Sequence, residues 1–96
     1  MYPLFNATAT GTSNTGLGYN ALYSISSGSS NTGVGRAVLG SNQTGSFNTG
    51  VGHDALGNSS GSYGTAVGYQ AGFLAISADY NTFIGYYAVS IKSNIG

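Results

Sequence analysis

From residue 14 onward the chain repeats one pattern of polar and apolar positions. Aligned on Asn-Thr, the units begin at Asn14, Asn31, Asn48, Gly64 and Asn81, with spacings of 17, 17, 16 and 17 residues. Position two is always Thr: Thr15, Thr32, Thr49, Thr65 and Thr82. Position four is always aliphatic, in Leu17, Val34, Val51, Val67 and Ile84. Position five is always Gly (Gly18, Gly35, Gly52, Gly68, Gly85), and position eight is small (Ala21, Val38, Ala55, Ala71, Ala88). Position nine runs Leu22, Leu39, Leu56, Gly72, Val89, and the rest of each unit is rich in Gly, Ser and Asn. The opening "MYPLFNATATGTS" aligns as a sixth unit that lacks its first four positions.

Thr and an aliphatic two residues apart give the period of a strand. A glycine in every unit is hostile to helix. Each unit is too short for a helix, a strand and two loops, so the pattern predicts a coil of two short strands and tight turns. Stacked coils set equivalent residues about 4.8 Å apart in parallel, in-register ladders. The predicted fold is all-β: a parallel β-roll or β-solenoid of about six 16–17-residue coils, starting near residues 1, 14, 31, 48, 64 and 81, in one domain over 1–96. Leu17, Val34, Val51, Val67 and Ile84 are its expected core ladder. A flexible Gly/Ser linker is the alternative, but a linker has no reason to keep an aliphatic at position four of every complete unit.

Only 4% of the residues are charged, and the net charge is zero. Nucleic-acid binding needs clustered Lys and Arg, so no nucleic-acid partner is expected. There is no cysteine, hence no disulfide framework or thiolate metal site. Apolar runs such as "AGFLAI" fall far short of the ~20 residues that span a bilayer, so no membrane insertion is expected. The start "MYPLF" lacks the basic and apolar regions of a signal peptide.

The string Asn-Thr-small-[Val/Ile/Leu]-Gly-x-x-Ala-Leu, followed by a Ser/Asn/Gly-rich half, resembles repeats of bacteriophage and bacterial tail-fibre or surface-fibre proteins. It is also similar to the head repeats of trimeric autotransporter adhesins. The resemblance covers residues 14–89 well and the first thirteen weakly. It implies a left-handed parallel β-roll, three chains about one axis, and adhesion to host surfaces. Gly64 for Asn, Gly72 for Leu and Phe83 for Gly or Ala depart from the pattern and put the edge packing of the last coils in question.

Few residues offer chemistry. "GLGYNA" at 16–21 and "GVGHDA" at 50–55 match a G-x-G-x-x-A dinucleotide fingerprint. That motif works once, between a strand and a helix, with an acidic residue ~20 positions on; here it recurs without a helix, and no cofactor is expected. His53 and Asp54 are adjacent. Neighbours on a strand point to opposite faces, so they are expected to be separate solvated groups. A glycosidase pair of Asp54 and Asp79 would have to converge from positions seven and sixteen of different coils. One His and two Asp make a poor metal site. No catalytic or metal residue is assigned, and an enzyme is the class least expected.

Two columns carry rings. Position six reads Tyr2, Tyr19, Arg36, His53, Tyr69 and Tyr86, a candidate surface ladder in which Arg36 can lie against Tyr19. The residues before each unit boundary are Ser13, Ser30, Phe47, Tyr63 and Tyr80. Such ladders either bind a cell-surface glycan or protein, or only stabilise the stack and an interchain contact. Sequons at Asn6, Asn42 and Asn58 are candidate glycosylation sites, expected on an exposed edge.

The large aliphatics at positions four and nine are few for a lone chain, and a solenoid has two open ends. The chain is therefore expected to be a homo-oligomer, trimer or filament, acting as a structural and adhesive fibre module outside the cell, on its surface or on a virion. Two alternatives are a self-assembling extracellular fibril subunit and an ice-binding solenoid. The Thr column and low charge suit ice. The alternation with the aliphatic column argues against it, since both are expected to face inward.

Overall fold

The computed structural model describes residues 10–75 and 79–89. It is a β-solenoid. Five three-residue strands, β1 (Thr15–Leu17), β2 (Thr32–Val34), β3 (Thr49–Val51), β4 (Thr65–Val67) and β5 (Thr82–Ile84), form one parallel sheet in chain order, and no helix occurs among the described residues. The register is Thr on Thr and aliphatic on aliphatic throughout: Thr15 pairs Thr32, and Leu17 pairs Val34, then Val51, Val67 and Ile84. The repeat is thus the winding period. Of the expected first unit only residues 10–13 are described; the amides of Thr10 and Gly11 both donate to Ser26 O, so this segment lies against the coil after it.

The predicted second strand is absent: each described coil has one strand, and its other half is made of turns. Backbone conformation explains this. Position seven (Asn20, Ala37, Asp54, Gln70, Tyr87), position nine (Leu22, Leu39, Leu56, Gly72) and the residue before each unit (Ser13, Ser30, Phe47, Tyr63, Tyr80) all have φ between 51° and 66°. Left-handed residues so close together bend an extended run into corners. The turns still stack. Leu22 N donates to Val38 O, Leu39 N to Ala55 O and Leu56 N to Ala71 O, while Ala37 N donates back to Tyr19 O and Asp54 N to Arg36 O. The repeat recovers the αL strain by giving every corner a hydrogen-bonded copy above and below.

Position-five glycine is forced by its backbone conformation in every coil and, in all but the last, by the coil that follows. Its φ is 122–133° in all five coils, and a Cβ on Gly35 would lie 2.7 Å from Gly52 O. From Gly18 to Gly68 no other residue fits there.

The expected core ladder is corrected. Leu17, Val34, Val51, Val67 and Ile84 do stand in one file, but they are 37–65% exposed. The inward residue of each strand is the middle one: Gly16, Gly33, Gly50, Ala66 and Phe83. The core is built instead from positions eight, nine and twelve, namely Ala21, Leu22, Ile25, Val38, Leu39, Ala55, Leu56 and Ala71, with Ala66 and Phe83. The coil is too thin for aliphatics on both walls. A Cβ on Gly33 would meet Val38 Cγ1 at 2.8 Å, and one on Gly50 would meet Val38 Cγ2 at 2.6 Å. In the first three strands the strand wall therefore supplies glycine, and the opposite wall supplies the side chains.

Three side-chain ladders tie the coils. Asn31 N and Nδ2 donate to Asn14 Oδ1 (3.0 and 3.1 Å), and Asn48 N and Nδ2 donate to Asn31 Oδ1 (both 3.0 Å). Each Asn Nδ2 also crosses its own coil, to Gly28 O, Gly45 O or Gly61 O. The ladder ends at Gly64, whose amide donates to Asn48 Oδ1. A hydroxyl ladder runs the other way: Thr12 N donates to Ser29 Oγ, Ser29 N to Ser46 Oγ, Ser46 N to Ser62 Oγ, and Ser62 N to Asp79 Oδ1. Rings form the third.

Candidate functional site

One surface concentrates what the fold leaves outside. Each strand points its Thr and its aliphatic outward, and the corners on either side carry the ring columns. Phe47, Tyr63 and Tyr80 stack with centroids 5.1 and 4.7 Å apart and planes within 10°. Beyond position five, Arg36 lies 5.7 Å over the Tyr19 ring, His53 meets Tyr69 edge-on at 5.3 Å, and Tyr69 stacks on Tyr86 at 5.3 Å. Tyr2 of this column lies outside the described residues. The result is a strip of Thr and aliphatic side chains between two aromatic rails. Of its columns only position six carries ionisable cationic or imidazole groups, Arg36 and His53.

Ring geometry decides how the rails work. A sugar needs a free ring face. Tyr63 is covered by rings on both sides, and Phe47, Tyr69, Tyr80 and Tyr86 each stack on one, so the ladder contacts take up part of the ring surface in both rails. The chemistry left open is that of the strip: Leu17, Val34, Val51 and Val67, each 37–43% exposed, with Ile84 at 65%. Contiguous exposed apolar surface of this kind marks an interaction site.

No family model, curated protein or solved structure matches the chain. The site is therefore read from its own geometry.

His53 and Asp54 are not opposed as expected. They sit on a corner, Asp54 at φ 62°, and His53 Nε2 comes within 3.5 Å of Asp54 Oδ2. Gln70 Nε2 donates to the same Oδ2 at 3.3 Å. Asp79 belongs to the hydroxyl ladder, where Ser62 N reaches it at 2.7 Å. The two carboxylates thus serve different corners. The glycines of "GLGYNA" and "GVGHDA" line the strand wall and its corner, and a turn follows them instead of a helix.

The sequons divide. Asn42 is corrected: it is fully buried, Gly45 N donates to its Oδ1 at 2.8 Å, and its Nδ2 donates to Gly61 O at 3.2 Å. It acts inside the coil at the position of Ile25 and Ser59, and no glycan can reach it in the folded chain. Asn58 is exposed, and Asn6 lies outside the described residues.

The sequence reading missed position ten. It runs Tyr23, Gly40, Gly57, Phe73, two rings with two glycines between them. The structure opens a groove of about 300 Å³ there, with Asp54 and Asn58 also in its lining. The signal is in the side-chain sizes of that column, where two glycines interrupt the rings.

Proposed function

We propose that the chain is a non-catalytic fibre module that assembles with copies of itself through the Thr–aliphatic strip. The observation that carries this is the outward file of Leu17, Val34, Val51, Val67 and Ile84, unbroken over five coils. A protein does not keep an aliphatic in every unit merely to hold it in water. Burying each such side chain contributes about 1.5–3 kcal/mol, and five in register give a continuous seam. Chains related by a rotation axis parallel to the solenoid can face these seams toward the axis, with the rails sealing the edges. A trimer is the arrangement that the fibre resemblance favours. Its role is mechanical and adhesive, outside the cell, at its surface or on a virion.

Light scattering on the purified chain at micromolar concentration tests this. The expected mass is three times the 9.6 kDa of one chain, and Val51→Asp, at the centre of the strip, returns it to one. A wild-type mass of 9.6 kDa would overturn the assembly. Electron microscopy separates a discrete particle from the end-to-end fibril of the alternative reading.

One observation favours a second reading. The Thr column faces outward, so the objection raised against an ice-binding solenoid falls. The rails flanking the strip still work against a flat ice contact. Thermal hysteresis in a solution of the chain would favour ice; its absence leaves the seam.

A further inference from the structure

We propose that the gap in column ten binds a neutral saccharide of one or two rings. This site is separate from the seam: positions eight and nine fill the core against the strand wall, so column ten lies on the opposite wall. At about 300 Å³ the groove is at the lower limit of ligand pockets, which fits a small compact ligand. Tyr23 and Phe73 stand three coil steps apart, about 14 Å at the spacing of stacked strands. The Phe73 ring leans over Gly57, where a Cβ would lie 3.1 Å from it, and nothing of Tyr23 comes as near to Gly40. The opening is therefore above Gly40, with an aromatic residue at either end and bare backbone as its floor.

The polar lining has one carboxylate and no cation. Asp54 is about one quarter exposed, and Gln70 and His53 both engage its Oδ2. Both contacts fall on Oδ2, and in the proposed complex Oδ1 accepts from a ligand hydroxyl. Asn58, exposed beside it, offers an amide that can donate and accept. An anionic ligand would meet the Asp54 carboxylate, and no Lys or Arg stands in the lining to attract it. A peptide added as a strand would need free backbone groups, and here they are used: Gly40 N donates to Ala37 O and Gly57 N to Asp54 O, while Gly40 O and Gly57 O accept from Ser24 N and Ser41 N. A sugar ring fits what remains, with apolar C–H faces toward the aromatics and hydroxyls toward Asp54 and Asn58.

The repeat supplies a filling variant, at the cost of a Cβ 3.0 Å from Ala37 O that a small shift must relieve. Gly40 lacks a left-handed φ and occupies the same coil position as Tyr23 and Phe73, so Gly40→Tyr restores the column and closes the opening. The full-length chain is titrated with lactose, cellobiose, maltose and N,N′-diacetylchitobiose, and aromatic resonances are followed by NMR. At least one disaccharide is expected to bind saturably with a millimolar Kd and to shift the Tyr23 and Phe73 rings. Gly40→Tyr is expected to weaken it at least about tenfold, and so is Tyr23→Ala, an exposed substitution that leaves the core intact; Asp54→Asn should weaken it less. If none of the four sugars shifts these rings, or if Gly40→Tyr and Tyr23→Ala leave binding unchanged, the proposal fails. It fails equally if either variant alters the mass by light scattering while sugar binding persists, since the groove is then a contact between copies. The mass of the wild-type chain tests the seam separately.

Discussion

The coils from Asn31 to Tyr63 and those from Gly64 to Val89 build the same cross-section from different residues. In the first pair a buried Asn ladder closes the coil and Leu39 and Leu56 fill it, with glycine on the strand wall at Gly33 and Gly50. In the second, Gly64 ends the ladder and Gly72 removes the leucine, yet the core stays filled. Phe83, 4% exposed, comes in from the strand wall of the next coil, and a Cβ on Gly72 would lie 2.7 Å from its ring. Two departures that each look like a defect form one packing unit. What a column conserves is backbone conformation and volume, shared between neighbouring coils, and Gly72 keeps the left-handed φ of the leucines it replaces.

Six variants at four places break or sharpen that contrast. The largest effect is expected at the swapped pair. Phe83→Ala should cost about 3–5 kcal/mol in chemical denaturation. Gly72→Leu alone should cost about 1–3 kcal/mol by overpacking. The double variant Gly72→Leu/Phe83→Gly rebuilds the earlier pattern and should recover most of the loss, giving a coupling of at least about 1 kcal/mol; strict additivity would refute the compensation. Next comes Asn31→Ala, which strands Asn48 N and Gly45 O inside the coil and should cost about 2–3 kcal/mol. Asp79→Ala acts on the exposed hydroxyl ladder, leaves Ser62 N to water, and should cost at most about 1 kcal/mol. Smallest is Ala37→Gly at φ 58°, where relief of the left-handed strain should add up to about 1 kcal/mol of stability and raise the melting midpoint slightly. A fall there would mean that the corner conformation carries no strain.

Much of the candidate surface was legible too. The columns at position six and before each unit boundary are where the alignment puts them, and Arg36 lies on Tyr19. Asn42 was misread because an Asn in a polar run looks exposed, whereas its amide replaces the coil-closing contacts of the interior. The His53–Asp54 contact was misread because strand alternation was applied to a left-handed corner, where successive side chains can swing to the same side. The groove was overlooked because glycine reads as a turn residue, and here it is also an absence between two rings.

The sequence by itself determined the winding. A period of 16–17 residues with invariant Thr, aliphatic and Gly leaves parallel in-register stacking as the arrangement that repeats every contact. Only the tertiary structure decided which side of the strand is the inside. Alternation assigns Thr and Val to one face but does not say which, and hydrophobicity chooses wrongly for Val51. The wall spacing overrules it: Val38 already reaches across to where a side chain on Gly33 or Gly50 would stand. Glycine therefore goes in, and the aliphatic file is left facing out, where another chain can cover it.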